Sequence, residues 1–362
     1  MKPIEIYKKK EMVTMSVRHI KILDTTLRDG EQAPGHEMNF INKLRLFTRI
    51  HDLNVDYIEA GFPVSNETDY KLCQSLSVID ERPTLTVFSR PTDSDIKTTS
   101  KCITNKENVQ LQLLLSSSDI HIKKKRRYTI EDEIENAKRG IEKARKCGFN
   151  EISLGLEDSS RASHENLEKI LCSLKDSGYQ TVVYADTVGC ATPSHASKDI
   201  QFIKTLVDDS VDVSGHFHDD LGLALANALV AIEAGANTIQ TTILGIGERC
   251  GNTPIEQLAA VLHYKKEQYN AYTNINLDKL YPLSKDLVKM LEIPISLTRP
   301  VVGVNSFSTQ AGIHINGLLK DREIYEYVHP EDFGRKMTIS KSKHSGSSTT
   351  YKKRNEIEYE TT

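Results

Sequence analysis

His216 and His218 stand two residues apart in the run VDVSGHFHDD, so on a strand both imidazoles point to the same face. Two imidazoles on one face, joined by an aspartate from another strand, make a mixed nitrogen–oxygen set for a divalent metal. Alone, the pair fits satisfied structural histidines equally well. Asp29 in DTTLRDGEQAPG and Asn252 in GIGERCGN add oxygen donors, and with them the set reads as a metal site. No cysteine belongs to it, so an open catalytic site fits better than a closed structural zinc. Such a site would bind a substrate's carbonyl and carboxylate oxygens and polarise the carbonyl. Arg28, beside Asp29, offers a fixed fork of donors for a developing oxyanion, or else bridges neighbouring carboxylates. The Thr187 hydroxyl could hold a substrate carboxylate or serve as an ordinary turn hydroxyl.

These residues need a frame that carries them to one place. Short β-rich apolar runs occur at 19–24, 55–59, 84–88, 108–115, 150–156, 180–185, 211–216 and 237–243. Longer segments between them, such as 131–147, 165–177 and 222–234, space their apolar residues for helices. Gly148 and Gly235 fall just before strands, where helix C-caps are expected. Eight strand–helix units predict a (β/α)8 barrel, which typically takes about 250 residues; a doubly wound open sheet is the rival. In a barrel the chemistry sits at the C-terminal ends of the strands. Asp24–Gly35, Glu59, Glu157-Asp158, Asp186-Thr187, His216–Asp220 and Gly245–Asn252 all stand at such ends. The last of these runs lies where barrels often bind phosphates, although its glycines also suit tight turns.

The 362 residues carry 47 Lys+Arg and 50 Asp+Glu, a formal charge of −3 that argues against a nucleic-acid binder. Mean hydropathy is −0.42, and no apolar run is long enough to span a membrane. The chain opens on a polar, basic stretch rather than an apolar signal segment, and Lys8, Lys9 and Lys10 read as solvated. The six cysteines are scattered with no CxxC pair, as expected of free thiols in a reducing cytoplasm.

Together these motifs resemble the acyl-CoA-dependent 2-oxo-acid condensing enzymes, the 2-isopropylmalate, citramalate and homocitrate synthases. The family's first signature is matched by Leu27-Arg28-Asp29-Gly30-Glu31-Gln32 with Lys43, and the second by His216 to Ala224. The resemblance runs from about His19 to Gly346 and implies a TIM barrel followed by a small, mainly helical subdomain. It implies a catalytic barrel over 19–270 and a linker and helical lid over 271–346, while the residues themselves suggest a flexible N-terminal arm over 1–18 and, in a polar stretch of little apolar periodicity, a disordered tail over 347–362. It also implies Mn2+ or Mg2+ on Asp29, His216, His218 and Asn252. Arg28, Glu157 and His314 take the catalytic roles, with Tyr325 near His314. Gln32, Thr187 and Arg28 bind the 2-oxo acid, and Gly247, Glu248, Arg249 and Gly251 bind CoA. The reaction implied is a Claisen condensation by an acyltransferase that converts the acyl group to alkyl on transfer. The partners are acetyl-CoA and a 2-oxo acid, with no nucleic acid and no membrane, and the lid acts in trans in a homodimer.

Some positions depart from the family pattern. Thr309 and Gln310 replace an ionisable pair before His314, and the chain stops soon after Lys343-His344-Ser345-Gly346, so leucine feedback through a C-terminal domain is not expected. GFPVS (61–65) and TNINLDKL resemble isopropylmalate synthases, whereas SLGLEDSSRA and YADTVG resemble short homocitrate synthases. A second substrate carboxylate needs a cationic partner. Homocitrate synthases place an arginine on strand five, where this chain has Ser153. The reading therefore favours 2-oxoisovalerate, to give 2-isopropylmalate in leucine biosynthesis, over 2-oxoglutarate or pyruvate. The rivals from other classes are a hydroxy-acyl-CoA lyase or aldolase on the same barrel and a metal-binding pseudoenzyme.

Overall fold

The computed structural model describes residues 17–339. The residues before Val17, Lys8–Lys10 among them, lie outside that range, as do the 343–346 motif and the tail. Eight strands form the centre: β1 (Lys21–Asp24), β2 (Tyr57–Gly61), β3 (Thr84–Ser89) and β4 (Val109–Ser116), then β5 (Glu151–Glu157), β6 (Thr181–Asp186), β7 (Asp212–Phe217) and β8 (Thr238–Thr241). Each is parallel to the next, and β8 returns to β1 with Lys21 opposite Thr238 and Asp24 opposite Thr241. The sheet is a closed barrel, which excludes the doubly wound alternative.

Alternation along the strands explains the two environments. In β4, Leu111, Leu113 and Leu115 join the hydrophobic core under the outer helices, while Gln110, Gln112 and Leu114 face the barrel interior. The same split separates Ile152, Leu154 and Leu156 of β5 from Ser153, Gly155 and Glu157. The interior is unusually polar for a barrel. Its side chains pair across strands, with Thr86 donating to Gln110 at 3.2 Å and Gln110 donating to Thr181 at 3.3 Å.

The outer ring comprises α1 (Phe40–His51), α2 (Glu67–Leu76), α3 (Asp93–Cys102), α4 (Ile130–Lys146), α5 (His164–Leu174), α6 (Pro193–Leu206), α7 (Ala224–Glu233) and α8 (Ile255–Tyr264). Helices α1 to α6 each open on Asn, Thr or Ser, whose side chain accepts a backbone N–H from three residues on. At the other ends of α4 and α7, Gly148 and Gly235 take φ of +89° and +110°, as the sequence predicts for C-caps.

One predicted strand divides. Of the run 19–24, His19 pairs with Tyr272 outside the barrel, and the barrel strand itself begins at Lys21. Beyond the barrel, α9 (Leu277–Leu291) packs on α1 and α8, and α10 (Gly312–Lys320) follows among short 3-10 turns. Polar clamps fasten this segment: Arg299 pairs with Glu256 at 3.1 Å, and Arg335 donates to the carbonyls of Val301 and Gly303 at 2.8 and 2.7 Å. No helix among the described residues is long and apolar enough to cross a membrane.

Candidate active site

The first strand ends on Asp24, whose buried carboxylate accepts the N–H and hydroxyl of Thr26, both at 3.0 Å. This folds the chain into a tight turn in which the amides of Arg28 and Asp29 return to the Thr25 carbonyl at 3.1 and 2.8 Å. Asp29 is thereby brought to the C-terminal mouth, opposite the end of β7. Its Oδ2 lies 3.4 Å from His216 Nε2 and 3.9 Å from His218 Nε2, and the two Nε2 atoms are 3.3 Å apart. His218 Nδ1 is 3.1 Å from the Gly251 carbonyl, which can only accept, so Nδ1 carries the proton and Nε2 presents its lone pair to the cluster.

Four properties of this cluster fit a divalent cation. Both Asp29 oxygens and Asn252 Oδ1 are buried without hydrogen-bond partners, a state that is unfavourable unless something fills it. Asn252 is fixed with its oxygen free because its Nδ2 donates to the Ile246 carbonyl at 3.2 Å. Burial pushes His216 down to about 3, with the neighbouring His218 adding to the effect, so the ring is a neutral donor of electrons. Burial opposes ionisation of Asp29, but Arg28 and the two histidines outweigh it and hold its carboxyl below the usual range. The result is a buried concentration of oxygen and nitrogen donor atoms around an ionised carboxylate.

Arg28 stands beside this set. Its Nη2 pairs with Glu59 Oε2 at 2.8 Å, and the guanidinium lies 4.9 Å from the Phe88 ring centre. Burial would lower its pKa, yet Glu59 and Asp29 raise it on balance and keep it charged. Arg28 Nε is buried with no partner, so one donor remains uncommitted. Gln32, one turn on, accepts weakly from Nη1 at 3.4 Å.

Across the mouth, Glu157 ends β5. Its two oxygens meet Lys125 Nζ at 2.6 Å and His121 Nδ1 at 3.0 Å. Burial would raise the carboxyl, but hydrogen bonds from Lys125 and His121 bring it down, led by Lys125. Thr187 Oγ accepts the Asp158 N–H at 2.9 Å, which leaves its own proton free to donate. The loop after β8 is shaped by glycine: at Gly247, with φ of +154°, a Cβ would overlap the Asn252 side chain, and at Gly251 it would overlap the Gly245 carbonyl. Within that loop Arg249 is committed, pairing with Asp220 at 2.7 Å and donating to the Thr187 carbonyl at 2.9 Å.

One cavity of about 320 Å3 gathers Arg28, Asp29, Gln32, Glu157, Thr187, His216, His218, Glu248 and Arg249. Asn252 touches it through His218, to which it is bridged, and Gly247 and Gly251 hold the loop behind. Phe62, Phe88, Leu114 and Val183 supply apolar wall. His314 is placed elsewhere: it lies on α10, exposed, with its ring 4.3 Å from that of Tyr325 as expected, and neither lines this cavity. His121 and Lys125 escaped the sequence reading. They lie in a basic run that resembles a solvated surface, and its position at the end of β4 was the available signal.

Residues 19–287 match the HMGL-like family, and residues 301–362 match the homocitrate synthase post-HMGL domain-like family. The 2-isopropylmalate synthase of Rhodopirellula baltica is 35% identical over 335 residues, covering 92% of this chain and 63% of its own length. The 2-isopropylmalate synthase 1 of Caldanaerobacter subterraneus subsp. tengcongensis is 35% identical over 322 residues, covering 88% of this chain and 81% of its own. The chain thus spans less than two thirds of the length of the first of these relatives and about four fifths of the second. The HMG-CoA lyase from Brucella melitensis superposes with a TM-score of 0.64 at 20% identity, over 76% of this chain and 100% of that one, which is a likeness of fold.

Proposed function

The chain belongs to the HMGL-like family, and from that premise we propose that it joins acetyl-CoA to a 2-oxo acid in a metal-dependent Claisen condensation. The substrate proposed is 2-oxoisovalerate and the product 2-isopropylmalate. The observation that carries this reading is the buried, unpartnered oxygen and nitrogen set of Asp29, His216, His218 and Asn252 beside the free donor of Arg28. Mn2+ or Mg2+ held by those four residues would supply Lewis acidity toward the oxo group.

The chain's own groups account for the rest. Thr187 donates its free hydroxyl proton to the carboxylate of the oxo acid, and Gln32 borders the same pocket. Arg28 directs its uncommitted Nε–H to the oxygen where negative charge develops. A base takes a proton from the acetyl methyl, the resulting enolate carbon bonds to C2 of the oxo acid as the C2=O π pair moves onto oxygen, and that oxygen takes up a proton to become the product's hydroxyl. Water then cleaves the thioester, leaving a new carboxylate and free CoA. Glu157, kept ionised by Lys125 and His121, accepts hydrogen bonds at the reacting end. His314 serves as the base from the lid of a second copy, since its own barrel does not receive it. Its exposure on α10, together with the 78% exposure of neighbouring Ile313, supports a homodimer in which α10 is covered.

Substrate choice follows from the wall. Leu114, Val183 and Phe88 suit a branched apolar side chain, and Gly155 leaves room for it. Ser153, facing inward one step beneath Gly155, gives β5 no cation for a second carboxylate. All six thiols are free, which supports a reducing, cytoplasmic setting.

The test follows CoA release from acetyl-CoA with Mn2+, using a thiol reagent, across 2-oxoisovalerate, 2-oxoglutarate, pyruvate and oxaloacetate. A preference for 2-oxoisovalerate is expected. Silence with all four, in folded and metal-loaded protein that cleaves hydroxymethylglutaryl-CoA, would replace the synthase with a lyase.

A further inference from the structure

The turn after β4 carries five successive cations, Lys123, Lys124, Lys125, Arg126 and Arg127, at the same end of the barrel as the cavity. Three of them are used locally. Lys125 pairs with the cavity residue Glu157 at 2.6 Å, Arg126 donates to Ser116 Oγ at 3.3 Å at the top of β4, and Lys123 pairs with Asp119 at 2.9 Å. Asn166, in the first turn of α5, ties the start of the segment down by donating to the Ser117 carbonyl at 3.1 Å. The run is therefore fixed to the rim rather than trailing in solvent.

Two cations remain. Lys124 and Arg127 are exposed and have no acidic partner among the described residues. Arg127 holds a left-handed φ of +59°, uncommon for a residue with a side chain, where the turn reverses into α4. Tyr128, next to it, is 40% exposed and offers an aromatic face. By contrast, the loop after β8 has Arg249 as its cation, and Asp220 already neutralises it. A multiply charged phosphate ligand is better met by uncommitted lysine and arginine than by a satisfied ion pair.

We infer that Lys124 and Arg127 hold the phosphate groups of the CoA thioester, with Tyr128 beside the adenine, so that the carrier enters past β4 and β5 while its acyl end reaches Arg28. This inference rests on the acyl-CoA reading above. The loop after β8 then serves to orient Asn252 and close the far wall. Lys125 fixes the register, because its bond to Glu157 joins the phosphate rim to the reacting pocket.

Calorimetric titration of the full chain with CoA and with 3′-dephospho-CoA tests it. The wild type should bind CoA more tightly than dephospho-CoA, and added salt should weaken CoA binding. The double substitution Lys124→Gln with Arg127→Gln should weaken CoA by about tenfold, as loss of two solvent-exposed charge pairs implies, and should erase most of the preference for the 3′-phosphate. Lys97→Gln with Lys101→Gln, on the exposed side of α3, should leave both titrations as in the wild type. Unchanged discrimination in the rim variant would overturn the inference, as would an equal loss in the α3 variant. Loss of discrimination in Arg249→Gln instead would place the phosphates on the loop after β8. A wild type that folds and binds Mn2+ but takes up no CoA would defeat the acyl-CoA reading itself, which separates that failure from a misplaced phosphate site.

Discussion

The barrel mouth and the segment beyond α9 are incomplete in opposite ways. At the mouth, polar atoms are buried and lack partners: Asp29 and Asn252 are each no more than 2% exposed, and their oxygens have no hydrogen bond. In the later segment, apolar groups stand in solvent, with Ile313 at 78% and Val304 and Tyr327 at 58%. A buried cluster of lone pairs calls for a cation, whereas exposed aliphatic and aromatic groups call for another surface. A small ion would answer the first need, and a covering surface the second. The proposed chemistry needs both, because the metal set and His314 do not meet within one chain.

Substitutions can separate the two halves. The largest effect belongs to the metal set: His218→Ala should reduce turnover to background, at least about 10³-fold, and should weaken Mn2+ binding measured by calorimetry. Unchanged metal affinity would remove His218 from the ligands and dissolve the contrast. Arg28→Ala should lower kcat by about 10²–10³-fold with metal binding retained, since its free donor acts on charge that develops during reaction. An effect on KM alone would assign it to ground-state binding.

His314→Ala sharpens the comparison from the other side. The protein should fold, bind Mn2+ as the wild type does, and lose about 10²-fold in kcat. Mixing it with a barrel-mouth variant such as His218→Ala should restore part of the activity if the histidine works across subunits, and no restoration would confine it to its own chain. The smallest effect is expected at Lys125→Met. Lys125 is the larger of the attractions that hold Glu157 below its ordinary value against burial, so its removal raises that carboxyl. The acid limb of kcat/KM should then move to higher pH, while the rate well above that limb changes by less than about threefold. An unmoved limb would show that the ionisation of Glu157 does not govern the rate.

The legible parts of this molecule were those written by local periodicity. The split between Leu111, Leu113, Leu115 and Gln110, Gln112 within a single strand marks both β4 and the faces it presents, and Gly148 and Gly235 mark the helix ends. The HxH pair was readable because strand alternation alone puts both rings on one side. Contacts between distant segments were readable only where the family's signatures supplied them, as for Asp29 with His216 and His218. Nothing local in IHIKKKRR shows that Lys125 and His121 converge on Glu157, because that meeting depends on adjacent strands β4 and β5 ending at the same height. The division of the run 19–24 was hidden for the same reason, since it depends on a backbone partner at Tyr272, about 250 residues away.

The most direct measurement is the identity of the carbon–carbon bond made. Folded protein loaded with Mn2+ would be given methyl-labelled 13C-acetyl-CoA and an equimolar mixture of 2-oxoisovalerate, 2-oxoglutarate and pyruvate, and the products read by NMR and mass spectrometry. The account predicts label in the methylene carbon of 2-isopropylmalate as the main product, with none formed by His218→Ala. Label that stays in acetate, or that appears chiefly in homocitrate or citramalate, would contradict it.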